Sequence, residues 1–496
     1  MQVILDTNSI EDYRRFLAIK RLPTYSIQGH VASFPDEYAS FVGFSQPVSS
    51  PTEYQPSEFL FDYQRDIASM AIRKRKFAGF IDCGLGKQNI AFEFMRHANR
   101  VLPKDKCALL VCPLMVVDQA LQERDRFYGD TLPIEYIPAN RLKSWMNDGG
   151  RLGITNYDAL RDDTPQGRLG ALVLDESSML KSHYGKHGQK CIELGKGLEW
   201  KLCLTGTPAP NDRIEYGNHA VFLDQFPTIN SFLAKYFVNR GQTNERWEIK
   251  PHALGAFYRA LSHWCIFLTN PAVYGWKDNC ESIPPIHTHI HNVDLTADQE
   301  AAVQAYTGGL FASRIGGITS RAKLGRIAKG THNGGAINTL KPEYIQDLVH
   351  SWPDESSIVW CLYNDEQRLM EKMFPEAASI DGSTKHERRQ ELIADFKAGR
   401  RKVLISKAKV LGFGLNLQIA TRHVFSGLAD SYESFYQCVK RSNRYGSTKP
   451  LNVHIPVTDV EVPMIETVLR KAKRVQLDTE TQEREFKANS LGFRLT

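Results

Sequence analysis

The chain lacks any CxxC pair: its nine cysteines (Cys83, Cys107, Cys112, Cys191, Cys203, Cys265, Cys280, Cys361 and Cys438) are scattered. That spacing argues against a zinc ribbon and against a disulfide framework, and it points to a reducing cytoplasm. It also lacks any run of about 18 consecutive apolar residues. The first residues, Met1-Gln2-Val3-Ile4-Leu5-Asp6, carry no basic stretch ahead of a long apolar one, so neither secretion nor a membrane span is expected. Charge of one sign is scarce too. The 62 Lys and Arg against 56 Asp and Glu give a formal +6, a mild bias compatible with phosphate binding and decisive for nothing. No repeat of solenoid length is found. With 42% hydrophobic and 24% charged residues, wholesale disorder is excluded and a folded chain is expected.

At 496 residues the chain exceeds the roughly 100 to 200 of one ordinary domain, so two large domains with additions are expected. Residues 1–55 hold short mixed segments closed by Ser45-Gln46-Pro47-Val48-Ser49-Ser50-Pro51, whose prolines suit a linker after a small accessory domain. From Phe61, apolar runs ending in Gly, Pro or Asp alternate with longer helical patterns, the signature of βαβ units on a parallel sheet. Strands are expected at Cys107–Cys112, Ala171–Leu174 and Lys201–Leu204, and again at Ile358–Leu362, Val403–Ser406 and His423–Ser426. The fold class is therefore α/β, with one lobe over 56–211 and a second over 346–460. Residues 212–290, rich in aromatics from Phe222 to Trp264, read as a mainly helical insertion that completes the first lobe. Residues 291–345 read as an inter-lobe linker with helix, and 461–496 as a C-terminal tail whose mixed Lys, Arg and Glu predict a solvated helix.

Two elements carry phosphate chemistry. Phe80-Ile81-Asp82-Cys83-Gly84-Leu85-Gly86-Lys87 places a strand before a glycine loop and a lysine, and Ile90, Ala91, Phe94 and Met95 continue as a helix. Glycines let backbone N–H groups curl around a phosphate, the helix N-terminus adds a favourable dipole, and Lys87 reaches the terminal phosphates. Ala171-Leu172-Val173-Leu174-Asp175-Glu176 is a buried strand delivering two carboxylates to its C-terminal edge, where open α/β sheets bind ligands. Asp175 is suited to hold Mg²⁺ through water, and Glu176 to orient and deprotonate the attacking water. A turn and a capped helix are the plain alternatives for each element alone. Gln88 stands where such loops carry a Ser or Thr that ligates Mg²⁺. Its amide oxygen also ligates hard cations but from a longer, more flexible stem, which leaves slow hydrolysis, water-mediated Mg²⁺ binding, or binding without turnover open.

Further segments stand in a fixed order around these two. They are Leu60-Phe61-Asp62-Tyr63-Gln64, Cys112-Pro113-Leu114-Met115-Val116-Val117-Asp118-Gln119, Ile154-Thr155-Asn156-Tyr157, Leu204-Thr205-Gly206-Thr207-Pro208, Leu411-Gly412-Phe413-Gly414-Leu415-Asn416-Leu417-Gln418 and Gln437-Cys438-Val439-Lys440-Arg441-Ser442-Asn443-Arg444-Tyr445-Gly446. In this order residues 58–460 resemble superfamily 2 helicases, in particular the Swi/Snf-like DNA-dependent ATPase branch in its compact bacterial and bacteriophage forms. The resemblance implies two RecA-like P-loop lobes in tandem, ATP as substrate, Mg²⁺ as cofactor, and the host cytoplasm if a virus encodes the chain. It implies that Tyr63 and Gln64 lie at the adenine, with Gly84, Leu85, Gly86, Lys87, Gln88 and Gly414 also around the nucleotide. Pro113, Gln119, Asn156, Asn416 and Gln437 would face nucleic acid or couple to it, and the hydroxyls of Thr205 and Thr207 would link hydrolysis to the nucleic-acid groove. Ser178 takes the place of the histidine usual after Asp-Glu-Ser, and Ser447 that of the last glutamine of the final motif. On a helix, Arg441 and Arg444 lie three apart on one face and suit arginine fingers for the γ-phosphate.

DNA is the expected partner, double-stranded or branched preferred and single-stranded also open, with no membrane and with protein partners, if any, through residues 1–55. A nucleotide-gated DNA-binding protein with weak or absent hydrolysis and an RNA helicase are the alternatives. Arg73-Lys74-Arg75-Lys76 suits a helix C-terminus as well as DNA. Arg314, Arg321, Lys323, Arg326 and Lys329 suit phosphate contact or a solvated surface. His287, His289 and His291 alternate at strand period and read as the surface face of a strand rather than a metal site.

Overall fold

The structure, a computed structural model, describes residues 1–45, 54–182, 185–241, 246–277, 283–307, 318–411 and 415–489. The proline-rich stretch from Gln46, Cys280, Arg314, the glycine pairs at 308–309 and 316–317, and Gly412 and Gly414 lie outside the described residues. The chain divides into two compact units, Met1–Asp278 with Gln476–Thr496, and Asn279–Val475. Each is built on a parallel sheet, and together they are two tandem RecA-like lobes.

In the first unit seven strands lie in the order Cys265–Leu268, Lys76–Ile81, Trp200–Thr205, Leu169–Asp175, Cys107–Cys112, Leu152–Asn156 and Glu135–Tyr136, every pair parallel. Strands such as Cys107–Cys112 are apolar on both faces because parallel sheets carry helices on both sides. The helix Lys87–Val101 turns Ile90, Ala91, Phe94 and Met95 into the core, the spacing of a stripe with period 3.6. Each of the large side chains among them contributes about 1.5–3 kcal/mol relative to exposure. In register, Phe80 faces Thr205 and Leu204 faces Asp175. The strands that end in the phosphate loop, in Thr205 and in the two carboxylates are therefore consecutive neighbours.

The 212–290 segment departs from a mainly helical insertion. Helices Tyr216–Phe222, Ile229–Tyr236 and Leu254–Trp264 are present, and Phe222, Phe232, Tyr236, Phe257, Tyr258 and Trp264 are buried in the core. The strands Phe237–Asn239 and Trp247–Ile249 form a hairpin, and Cys265–Leu268 becomes an edge strand of the main sheet. Cys265 follows the helix with no turn residue between, so its apolar run looks like more helix. Ile286–Asn292, whose histidines read as a strand face and which the sequence divides between insertion and linker at 290, pairs with Leu451–Val457 of the second unit.

Residues 1–45 fold as three short antiparallel strands, a helix Ile10–Ile19 and a 3-10 turn around Leu5, Ile19, Ala32, Phe34 and Tyr38. Glu37 fastens this region to the first unit through Lys74 at 2.7 Å and His263 at 3.1 Å. The basic run is thereby explained without a nucleic acid, since Arg75 pairs with Glu199 and Lys76 with Asp224.

The second unit carries six parallel strands in the order Ile286–Asn292, Leu451–Val457, Ala420–Phe425, Ser356–Cys361, Val403–Lys407 and Ala378–Ile380. The three alternating histidines lie along its outer strand, where His289 meets Asn452 and His291 meets His454 and Tyr344. Glu461 is buried between Lys329 and Lys341 and bonded to both, and Arg321 pairs with Asp430 at 2.9 Å. Both ion pairs correct the phosphate-binding expectation for Arg321 and Lys329: their charges are already met inside the unit. Lys323 and Arg326 are exposed, lying over the rings of Tyr306 and Tyr363.

The solvated tail is also corrected. Helix Val462–Asn489 runs on into the first unit, where Asp478, Gln482 and Phe486 are buried. There Asp478 accepts from Arg213 at 2.6 Å and from the Tyr258 hydroxyl at 2.7 Å, and Glu483 accepts from Thr269 at 2.8 Å. These polar partners make its buried face look charged in sequence. Among the described residues no helix is long and apolar enough to cross a membrane.

Candidate active site

The loop Asp82–Gly86 joins strand Lys76–Ile81 to helix Lys87–Val101. Gly84 and Gly86 take φ of 92° and 67°, and a Cβ on Gly86 would stand 2.2 Å from Gln64 Nε2, so glycine is required there. Tyr63 and Gln64 reach the loop, but not by offering free groups to a base. The Tyr63 hydroxyl and Gln64 Nε2 both donate to the Leu85 carbonyl, at 3.1 and 3.2 Å, while Gln64 Oε1 accepts from the Phe61 amide at 3.1 Å. Gln64 thus closes the N-terminus of its own helix and holds the loop. Lys87 Nζ donates to the Ile81 carbonyl at 3.1 Å. Burial opposes its charge, and Cys83, Glu176, Asp175 and Asp82 outweigh burial, raising its pKa.

Asp175 ends its strand with its backbone carbonyl held by the Tyr157 hydroxyl at 2.8 Å. Its Oδ1 is buried with no hydrogen-bond partner, and burial together with the Glu176 carboxylate pushes its carboxyl well above the usual range. Glu176 adopts a left-handed backbone, φ 50°, a conformation that costs a non-glycine residue about 1 kcal/mol or more and recurs at functional turns. The Thr205 hydroxyl donates to Glu176 Oε2 at 3.2 Å, and the Thr207 amide donates to Thr205 Oγ1 at 3.2 Å. Gln88 is buried with Nε2 unpartnered. Among the described residues, an unmatched carboxylate oxygen, an unmatched amide nitrogen and a half-buried lysine beside a glycine cradle fit a phosphate chain with a hydrated divalent cation. Asp175 would hold that cation, with Gln88 able to reach it only through Oε1, while its unmatched Nε2 suits a phosphate oxygen.

The turn after Glu176 contains two buried serines. Ser178 Oγ has no partner, whereas Ser177 Oγ lies 3.1 Å from Nε2 of His219, a histidine absent from the sequence-derived site. Tyr157 and Asp82 were likewise without an assigned role, and only their proximity in space reveals one. Pro113 sits at the N-cap of helix Leu114–Phe127, in which Gln119 donates to Glu123 at 2.9 Å. Asn156 is buried and caps the turn Tyr157–Ala159, accepting from the Ala159 amide at 3.1 Å. Its Oδ1 is thereby used by the backbone of the turn.

In the second unit the two last motifs are joined. The Leu417 amide donates to the Arg441 carbonyl at 2.9 Å, and Ser442 Oγ donates to the Leu417 carbonyl at 2.8 Å. Since that hydroxyl proton is used, His423 Nε2 donates to Ser442 Oγ at 2.8 Å, and Trp360 Nε1 donates to His423 Nδ1 at 3.3 Å. The expected helical arginine pair is corrected: helix Tyr432–Val439 ends first, and Arg441 and Arg444 occupy the turn behind it. Ser447 makes that turn, donating to the Ser442 carbonyl at 2.6 Å and accepting from the Arg444 amide at 3.1 Å. Arg441 is buried, with Nε donating to the Gln437 carbonyl at 3.0 Å; Arg444 is half-buried and Asn416 exposed. Gln437 is buried with Nε2 unpartnered among the described residues. Gly414 lies outside the described residues.

A model of the SNF2-related domain matches residues 79–334, and one of the helicase conserved C-terminal domain matches 340–446. The chain is 24% identical over 458 residues to putative protein p41 of Acyrthosiphon pisum secondary endosymbiont phage 1, covering 84% of this chain and 96% of that protein. It is 24% identical over 454 residues to the Zorya protein ZorD of Escherichia coli O139:H28, covering 78% of this chain but only 41% of that protein. Among solved structures, a Sulfolobus solfataricus SWI2/SNF2 ATPase core in complex with dsDNA aligns over 91% of this chain and 97% of that one, with 18% identity and a TM-score of 0.40.

Proposed function

Because the chain belongs to the SNF2-related family, we propose that it is a DNA-stimulated ATPase working as an ATP-driven translocase or helicase on double-stranded DNA. One observation carries the reading: Lys87, Asp175, Glu176 and Thr205 meet at the C-terminal edge of three adjacent strands, with Asp175 Oδ1 and Gln88 Nε2 lacking partners among the described residues. The loop amides and Lys87 bind the phosphates. Mg²⁺, when bound, neutralises charge on the phosphate oxygens, and Asp175 holds it through water. Glu176 orients the attacking water and takes its proton, while the Thr205 hydroxyl fixes the carboxylate that does so. Arg441 and Arg444 stabilise charge on the terminal phosphoryl group, an effect worth a factor of about 10³–10⁵ in rate. Exposed Lys323 and Arg326 contact the DNA backbone.

Phosphate release by the full chain, measured with duplex DNA, forked DNA, single strands and RNA, tests this. Duplex or forked DNA should stimulate release, and Glu176→Gln should abolish it. A rate indifferent to every nucleic acid overturns the proposal. Gln88 favours a second reading, a nucleotide-gated DNA-binding protein. That reading requires no phosphate release, with a DNA affinity that responds to ATP in wild type and no longer does so in Lys87→Ala. Stimulation by RNA above DNA would identify an RNA helicase instead.

A further inference from the structure

The Swi/Snf-like pattern has a histidine at the fourth position of its Asp-Glu turn, and this chain has Ser178 there, buried and without a partner. A histidine reaches the turn by another route. His219, on helix Tyr216–Phe222 and 42 residues beyond Ser177, is fully buried with Nε2 at 3.1 Å from Ser177 Oγ. Its Nδ1 lies 3.3 Å from the Glu215 carbonyl, one helical turn back. A neutral imidazole donates from one nitrogen and accepts at the other, so the ring bonds both the Glu215 carbonyl and Ser177, whose hydroxyl both donates and accepts. The edge of the ring pair with Phe80, centroids 5.2 Å apart at 83°, fixes the imidazole plane from the strand that leads into the phosphate loop.

The geometry points to His219 as a positioning residue that, through Ser177, holds the strained Glu176 turn in the shape hydrolysis needs, in place of the histidine missing at position 178. The turn requires such a hold. Glu176 sits at φ 50°, and its carboxylate accepts from the Thr205 hydroxyl. The residue that follows it is tied down by the imidazole. Burial keeps that imidazole neutral, drawing its pKa down to about 4, so at neutral pH it bonds Ser177 without bringing a charge beside the carboxylates.

This inference rests on the ATPase reading above, and the experiment separates the two. His219→Phe keeps an aromatic ring and removes the hydrogen-bonding nitrogens; His219→Gln restores a group near Nε2 that donates and accepts; Ser177→Ala removes the hydroxyl. In DNA-stimulated phosphate release, His219→Phe and Ser177→Ala should each lower kcat about tenfold with KM for ATP unchanged. His219→Gln should recover most of the rate, and Ser177→Ala/His219→Phe should be no slower than either single variant. Amide hydrogen exchange at residues 176–179 should quicken in His219→Phe and return to the wild-type rate in His219→Gln. A His219→Phe enzyme with wild-type kcat, a His219→Gln enzyme as slow as His219→Phe, or additive losses would overturn it. If wild type itself releases no phosphate, the ATPase reading falls, and the exchange pattern alone decides whether His219 holds the turn.

Discussion

Gln88 is buried one residue beyond the phosphate-loop lysine, with an amide nitrogen that meets no protein acceptor. A threonine there would put a hydroxyl on a short, stiff stem and lose less rotamer entropy on binding a cation. Gln88→Thr is accordingly expected to lower the Mg²⁺ concentration for half-maximal phosphate release by about tenfold, equivalent to ~1.4 kcal/mol. Titration of Mg²⁺ at fixed ATP reads this directly, and an unchanged midpoint would show that Gln88 lies outside the cation's reach. The identity of the phosphate loop, Asp175 and Glu176 was legible in the chain because each is a short local pattern at a strand end. The bonds between them were not. Thr205 to Glu176, Tyr157 to the Asp175 carbonyl and Ser177 to His219 all cross between elements far apart in sequence, and no spacing rule announces them.

At the scale of elements, apolar runs bounded by Gly, Pro or Asp gave themselves away as strands, as at Cys107–Cys112 and Val403–Lys407. Elements without such punctuation misled: Cys265–Leu268 joins its helix directly, and Ser442 and Ser447 end a helix whose pattern looked set to continue. Helix Val462–Asn489 looked solvated because its buried face carries Asp478, Gln482 and Glu483, whose partners lie in distant segments. Asp478→Ala strands Arg213, and losing one member of a fully buried pair costs about 3–5 kcal/mol. Arg213 keeps 21% of its side-chain surface exposed, so a loss of about 2 kcal/mol is expected here, with Arg213→Leu in the same chain recovering part of it. A thermal scan of the three proteins tests this. An Asp478→Ala melting temperature equal to wild type would mean that the pair is structurally idle.

For the whole molecule, histidines that burial holds neutral, His219 and His423 with His454 and His263, contribute to acid tolerance. Burial lowers His219 in the first unit to about 4 and His423 in the second to about 3, from an ordinary 6.5. The folded state therefore binds fewer protons than the unfolded chain. Their contribution is complete above pH 6.5 and is lost as pH falls towards 4 and 3, at roughly 1.4 kcal/mol per pH unit for each. Urea midpoints should drop steeply between pH 6.5 and 4.5, and His219→Gln with His423→Gln should flatten that slope; a flat wild-type profile would refute both burials. The order of synthesis adds a further consequence of the chain's division into units. The first unit needs Gln476–Asn489, which the ribosome makes after every residue of the second. Arg213 and Tyr258 thus wait for Asp478 through the translation of an entire lobe. The half of the protein that starts first is finished last, and a chain broken off near its end loses the integrity of the beginning.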